Sequence, residues 1–154
     1  MKALPHQARW LYLTAALVIV VDRLTKMLAE SLIAGEPSVR VLPGVYLTYT
    51  TNLGGAFGVF QNAAWLFAAA AVIVSAVIVV LSVRIKRTPL AIGLGLVLGG
   101  SLGNLVDRVV NGPWLSGRVV DFIDLRVWPV FNIGDAAIVV GAGIIIVAGI
   151  ARKS

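Results

Sequence analysis

The 154-residue sequence contains no cysteine and a single histidine, His6. Without thiols there is no disulfide framework and no cysteine nucleophile, and one imidazole is too few for structural zinc or an iron–sulfur cluster. No metal and no cofactor are expected. Charge is also scarce: 13% of residues are Asp, Glu, Lys or Arg against 59% hydrophobic, and the mean hydropathy is +0.96. Those values lie far outside the range of a soluble domain of this length and place the chain in a bilayer. A net charge of +6 and a sequence pI near 10.3 raise nucleic acid as a partner. The basic residues, however, stand between long apolar runs and not together on one folded face, so no nucleic-acid partner is expected.

A hydrocarbon core roughly 30 Å thick needs about 20 apolar helical residues. Residues 63–83 and 88–106 supply this without a charge. Residues 131–151 contain only Asp135, and the run from residue 10 is clean to Val21 before Asp22, Arg23, Lys26 and Glu30 intervene. The expectation is an α-helical polytopic membrane protein with four transmembrane helices, at about 10–33, 63–83, 88–107 and 131–151. With no tandem repeat or low-complexity linker, residues 1–154 read as a single membrane-embedded domain. Lys2 and Arg9 ahead of residues 11–21 also resemble a signal peptide, but no small-x-small site directly follows Val21, and three later spans keep the chain in the membrane.

Lys and Arg flanking the spans belong on the cytoplasmic side. The N-terminal stretch, the connection between spans two and three and the C-terminal stretch hold Lys2, Arg9, Arg84, Lys86, Arg87, Arg152 and Lys153, with no acid among them. Both termini are therefore expected in the cytoplasm. All seven acids then lie within spans or in the two outer loops, so the polar chemistry falls in the outer half of the membrane. Residues 39–51, rich in Val, Tyr, Thr and Leu around Pro43-Gly44, read as a short hairpin, and the Gly-rich residues 52–60 as an interfacial segment. Together they predict a small β platform on the outer face, amphipathic enough to touch membrane lipid. The other outer loop, 109–128, carries Gly112-Pro113, Trp114, Gly117 and Trp128, a turn-rich stretch with aromatic anchors.

Ionisable groups inside a membrane are costly and usually face the bundle interior in pairs. Asp22 and Lys26, four apart, share a helix face as an ion pair whose role is structural or functional. Asn104, Asp107 and Arg108 share a face at the outer end of span three, either as a hydrogen-bonding bracket or as structural support. Asp135 lies about four residues into a helix beginning near Phe131, roughly 6 Å below its start, with Asn132 one turn before it. If the outer loop folds Asp121 over the head of span four, two carboxylates meet at the bilayer surface. Two like charges in low dielectric cannot both ionise, so such a pair holds a shared proton. One member can then act as general base on water while the other polarises a carbonyl. Gly95, Gly99 and Gly103 recur every fourth residue and predict a strip for close helix packing.

Asp22-Arg23-Leu24-Thr25-Lys26, Asn52-Leu53-Gly54-Gly55-Ala56-Phe57, the run from Gly99 to Arg108, Val119-Val120-Asp121-Phe122 and Phe131-Asn132-Ile133-Gly134-Asp135 resemble, in order, the motifs of bacterial lipoprotein signal peptidase, signal peptidase II. Gly55 and Gly134 stand where the family usually has Ala. The resemblance implies an aspartic endopeptidase of the bacterial plasma (inner) membrane that removes signal peptides from diacylglyceryl-modified prolipoproteins, cutting before the lipidated cysteine. It implies Asp121 and Asp135 as the catalytic dyad at the outer face, and Asn52, Gly54, Asn104, Arg108 and Asn132 as polar or supporting residues around the cleft. Asp22, Lys26 and Asp107 match supporting positions. It also implies an interfacial helix beside the β platform and inhibition by cyclic peptide antibiotics such as globomycin. A dyad drawn from one chain is compatible with a monomer. A small proton-coupled transporter is the alternative; it requires an essential acid near the bilayer midplane, for which Asp22 is the nearest candidate.

Overall fold

A computed structural model describes residues 5–54 and 64–150. Helix α1 (His6–Ile33) is followed by strands β1 (Val39–Leu42) and β2 (Val45–Asn52), helices α2 (Ala64–Ser82) and α3 (Thr88–Val110), strand β3 (Val119–Asp124) and helix α4 (Ile133–Ile150). The expected interfacial helix falls on residues 52–60, most of which lie outside the described residues. Among the described residues three helices, α2, α3 and α4, are long and apolar enough to cross a membrane. Their outward faces carry large exposed apolar side chains such as Val80, Val139 and Val147, as a lipid-facing surface requires.

Helix α1 buries Ala8, Leu11, Ala15, Val18, Asp22, Lys26, Ala29 and Ile33, one stripe at three- and four-residue spacing. The stripe changes from apolar to charged at Asp22 without leaving the seam. Against it runs the predicted glycine strip of α3. A Cβ on Gly99 would lie 2.7 Å from the Val18 side chain, and one on Gly103 would lie 2.6 Å from Asp22 Oδ2. On the other side of α3, Gly93 and Gly100 meet α4 at Gly141 and Gly134. Glycines on two sides thus let α3 sit close to both α1 and α4, which brings polar side chains within direct bonding distance across both seams. Helix α2 is tied in by its small face, Ala64, Ala68, Ser75 and Ser82, and by a 3.0 Å hydrogen bond between Tyr12 and Ser82.

The predicted hairpin forms, turning at Pro43-Gly44 with Gly44 at φ +79°. The loop 109–128, which the sequence reading describes as turn-rich, also holds a strand that reading does not predict. It contains β3, which extends the hairpin into an antiparallel sheet of order β1-β2-β3 with Thr50 opposite Asp121 and Asn52 opposite Val119. The sheet rests on the end of α1 through Phe122, Ala29 and Ile33. Phe131 then bonds to the β3 backbone: its N–H donates to Ile123 O at 3.0 Å and its carbonyl accepts from Ile123 N at 2.8 Å. This short zip delivers the head of α4 to β3.

Candidate active site

Asp121 sits in the middle of β3, 1% exposed. Two side-chain amides hold it: Asn52 Nδ2, from the end of β2, donates to Oδ2 at 2.6 Å, and Asn132 Nδ2 donates to Oδ1 at 2.6 Å. Gly54 makes the first of these possible. Its N–H donates to Asn52 Oδ1 at 2.6 Å, leaving Nδ2 for the carboxylate. Its φ of +118° and the Phe67 ring, 2.5 Å from where a Cβ would sit, leave room for glycine alone.

Asp135 lies closer to its helix end than the sequence reading places it. Helix α4 starts at Ile133, not near Phe131, so Asp135 is in the first turn and Asn132 is the residue that caps it. Asn132 Oδ1 accepts the Asp135 N–H at 2.9 Å, and Asp135 Oδ2 accepts the Asn132 N–H at 3.3 Å, the reciprocal arrangement of a capping box. Asn104 Nδ2 donates to Asp135 Oδ1 at 2.8 Å. One residue, Asn132, therefore holds both carboxylates, with its side-chain amide on Asp121 and its backbone on Asp135.

Asn104, Asp107 and Arg108 fan out from the end of α3. Asn104 turns to Asp135, whereas Asp107 turns to α1, where it meets Lys26 Nζ at 2.9 Å and Arg23 Nη1 at 3.1 Å. The expected Asp22–Lys26 pair is present at 2.7 Å, and Asp22 Oδ1 also accepts the Gly134 N–H at 2.8 Å. Arg108 is 5% exposed; its Nε reaches Ala64 O at 3.4 Å, and its Nη1 is buried with no hydrogen-bond partner among the described residues.

Asp121 and Asp135 share a cleft of about 520 Å³ with Asn52, Asn104, Arg108 and Thr50. Phe67, Leu105 and Ile138 supply apolar walls. Burial raises the Asp121 carboxyl from 3.8 to about 7, reinforced by the charge of Asp135 and opposed by the hydrogen bonds from Asn52 and Asn132. Thr50 and Trp128 also line the cleft; the sequence reading names Trp128 as an aromatic anchor and not as a site residue, and does not single out Thr50. Thr50 becomes legible once β3 is recognised, because the register sets it opposite Asp121. Among the described residues no three His, Asp or Glu side chains converge as a metal site. Asp22, the acid that the transporter alternative needs to be accessible, is 1% exposed and committed to Lys26 and Gly134, which leaves that alternative without support.

Fold and site together define a helical, multi-pass membrane protein with a pair of carboxylates held over one cleft. The family described as signal peptidase (SPase) II matches residues 14–151. The chain is 43% identical over 136 residues to the lipoprotein signal peptidase of Pelotomaculum thermopropionicum, covering 86% of each chain. It is 41% identical over 133 residues to that of Syntrophomonas wolfei, covering 85% of this chain and 86% of the relative. A solved structure described as a bacterial membrane enzyme, obtained in meso at 2.3 Å resolution, superposes with a TM-score of 0.78 at 29% identity, over 92% of this chain and 88% of the other. The chain belongs to the signal peptidase II family, a family of aspartic proteases.

Proposed function

We propose that this protein removes signal peptides from diacylglyceryl-modified prolipoproteins, cutting before the lipidated cysteine, with Asp121 and Asp135 as the catalytic pair. One observation carries the assignment. Two carboxylates from separate elements line one cleft, and the buried one keeps its proton to about pH 7. In the proposed reaction Asp135 takes a proton from water as its oxygen attacks the scissile carbonyl carbon, and the protonated Asp121 gives its proton to the carbonyl oxygen. As the tetrahedral adduct collapses, the C–N bond breaks, the amine nitrogen takes the proton held by Asp135, and Asp121 recovers its own. The Nη1 of Arg108, which has no hydrogen-bond partner among the described residues, is a ready donor for a substrate backbone carbonyl.

Four crossings, with α1 as the first, put both termini in the cytoplasm and the cleft at the outer face of the plasma membrane. The charge distribution supports this topology, since Arg84, Lys86 and Arg87 stand at the opposite end of α3 from Asp107 and Asp121. The exposed Val39, Val41 and Leu42 of β1 suit contact with lipid headgroups. The cleft is the proposed site for cyclic peptide antibiotics such as globomycin, and the protein is proposed to act as a monomer. The test is cleavage of a lipidated prolipoprotein by purified protein in detergent, with Asp121→Asn and Asp135→Asn compared after a check of folding. Cleavage before the lipidated cysteine by wild type and none by either folded variant is expected. Cleavage by either variant refutes the dyad.

A further inference from the structure

Behind the dyad lies a charged cluster, Asp22, Lys26 and Asp107, none of which lines the cleft. Lys26 Nζ, 1% exposed, donates to Asp22 Oδ2 at 2.7 Å and Asn104 Oδ1 at 2.9 Å, and is ion-paired with Asp107 Oδ2 at 2.9 Å. Three acceptor oxygens thus surround an ammonium that has three N–H bonds. Asn104 Oδ1 also accepts from Asn132 Nδ2 at 3.2 Å. An ammonium can only donate, so the Asn104 amide must turn its oxygen toward Lys26, and its Nδ2 is left to face Asp135 Oδ1 at 2.8 Å. The same cluster grips the backbone just before Asp135, because Asp22 Oδ1, opposite the oxygen bonded to Lys26, accepts the Gly134 N–H at 2.8 Å.

We infer that Lys26 is a positioning residue for peptide cleavage: acting through Asn104, it fixes the direction of the amide that holds Asp135. An Asn104 amide free to flip would present its oxygen to the carboxylate, and the repulsion would turn Asp135 away from its partner and from the attacking water. This inference rests on the dyad reading above and adds a residue that never meets substrate. A purely structural role for the Lys26 cluster, that of holding α1 to α3, makes a different forecast, because its loss would weaken the site whether or not Asn104 is present.

The experiment is a double-mutant cycle on cleavage of a lipidated peptide in detergent, with Lys26→Met, Asn104→Ala and the double variant, and with Asp135→Asn as reference. Lys26→Met is expected to lower kcat by about 10²-fold, the scale of a displacement of about 1 Å in a reacting group, with KM little changed. In the Asn104→Ala background it is expected to change kcat by no more than about twofold, since the two residues act in series. Arg23→Gln removes the half-exposed ion pair to the same Asp107 and should leave kcat unaltered. Multiplied losses in the double variant, with Asp135→Asn inactive, overturn the inference alone; an active Asp135→Asn overturns the dyad and the inference with it. Lys26→Met leaves Asp22 without its cation, so Lys26→Met combined with Asp22→Asn and Asp107→Asn, which strands no charge, replaces it if the single variant fails to fold. If this neutral variant also fails to fold, Lys26 serves the fold and the inference is overturned.

Discussion

Replacing Asn52 with leucine tests the electrostatics of the pair more sharply than removing either carboxylate. The leucine would keep the volume of the side chain and delete the donor that lies 2.6 Å from Asp121 Oδ2. That donor favours the charged carboxylate and holds its pKa down against burial, so its loss must raise the pKa above about 7. A hydrogen bond to a charged group contributes about 1.5–3 kcal/mol, and at about 1.4 kcal/mol per unit the shift is about 1–2 units. Activity requires a proton on Asp121, so the wild-type kcat/KM should fall as pH rises through about 7; in Asn52→Leu this descending limb should move to about pH 8–9. The assay is kcat/KM for a fluorogenic lipopeptide in detergent from pH 4 to 10. Asn52→Leu also deprives the Gly54 N–H of its acceptor, so thermal unfolding is followed in parallel and activity is compared only where both proteins are folded. A descending limb that stays in place, or moves toward lower pH, refutes the assignment of Asp121 as the proton carrier.

The same pKa predicts how stability varies with pH. Because Asp121 rises from 3.8 to about 7 in the folded state, the folded chain holds that proton more tightly than the unfolded chain. Its contribution is full below about pH 4 and is lost as pH rises to about 7, a change on the order of 4 kcal/mol. Unfolding in micelles should show this decline in wild type and not in Asp121→Asn; parallel curves would contradict it. Gly100→Ala would drive a Cβ into the Gly134 carbonyl oxygen, so a loss of about 1–3 kcal/mol is expected, with reduced cleavage as Asn104 moves off Asp135. Gly143, where a Cβ meets nothing within 4 Å, should accept Ala with a gain of up to about 1 kcal/mol; equal melting temperatures for these two variants would contradict the packing argument. Arg108→Gln should lower kcat/KM by about 10²-fold, and full activity in that variant would remove Arg108 from the substrate site.

Most of this architecture can be read from spacing. The apolar runs give the helices, Pro43-Gly44 gives the hairpin, and the four-residue repeat of Gly95, Gly99 and Gly103 gives the α1–α3 seam. The Asp22–Lys26 pair follows from helical geometry alone. Other features depend on contacts between distant segments. Strand β3 is hidden because Val119-Val120-Asp121-Phe122 lies among turn residues, and only pairing with β2 makes it a strand. The role of Asn132 is misplaced for a related reason. A helix start is read as the start of its apolar run, yet Phe131 is held by β3 and the cap falls one residue later. Motif resemblance brings the right residues together, but it does not say that Asn104 and Asp107, three apart on one helix, both meet Lys26 while Asn104 also reaches Asp135.

The choice of amides around the dyad has a physical reason. Both carboxylates need a fixed direction, and a lysine or arginine bonded to them would supply it. Such a cation would also favour ionisation of both acids and leave none to protonate the carbonyl oxygen. The amides of Asn52, Asn104 and Asn132 orient the carboxylates with N–H groups that carry no net charge, so their pull against the proton is limited and burial still wins at Asp121. The cations are kept one step away. Among the described residues no ion pair joins Lys26, Arg23 or Arg108 to either member of the dyad, and Lys26 meets the Asp135 carboxylate through the Asn104 amide. The arrangement separates two demands that conflict at a single contact: ionic bonds hold the helices together, and neutral bonds hold the acids. A lysine substituted for Asn52 should therefore keep Asp121 in place and lose the descending limb at about pH 7, together with most of the activity.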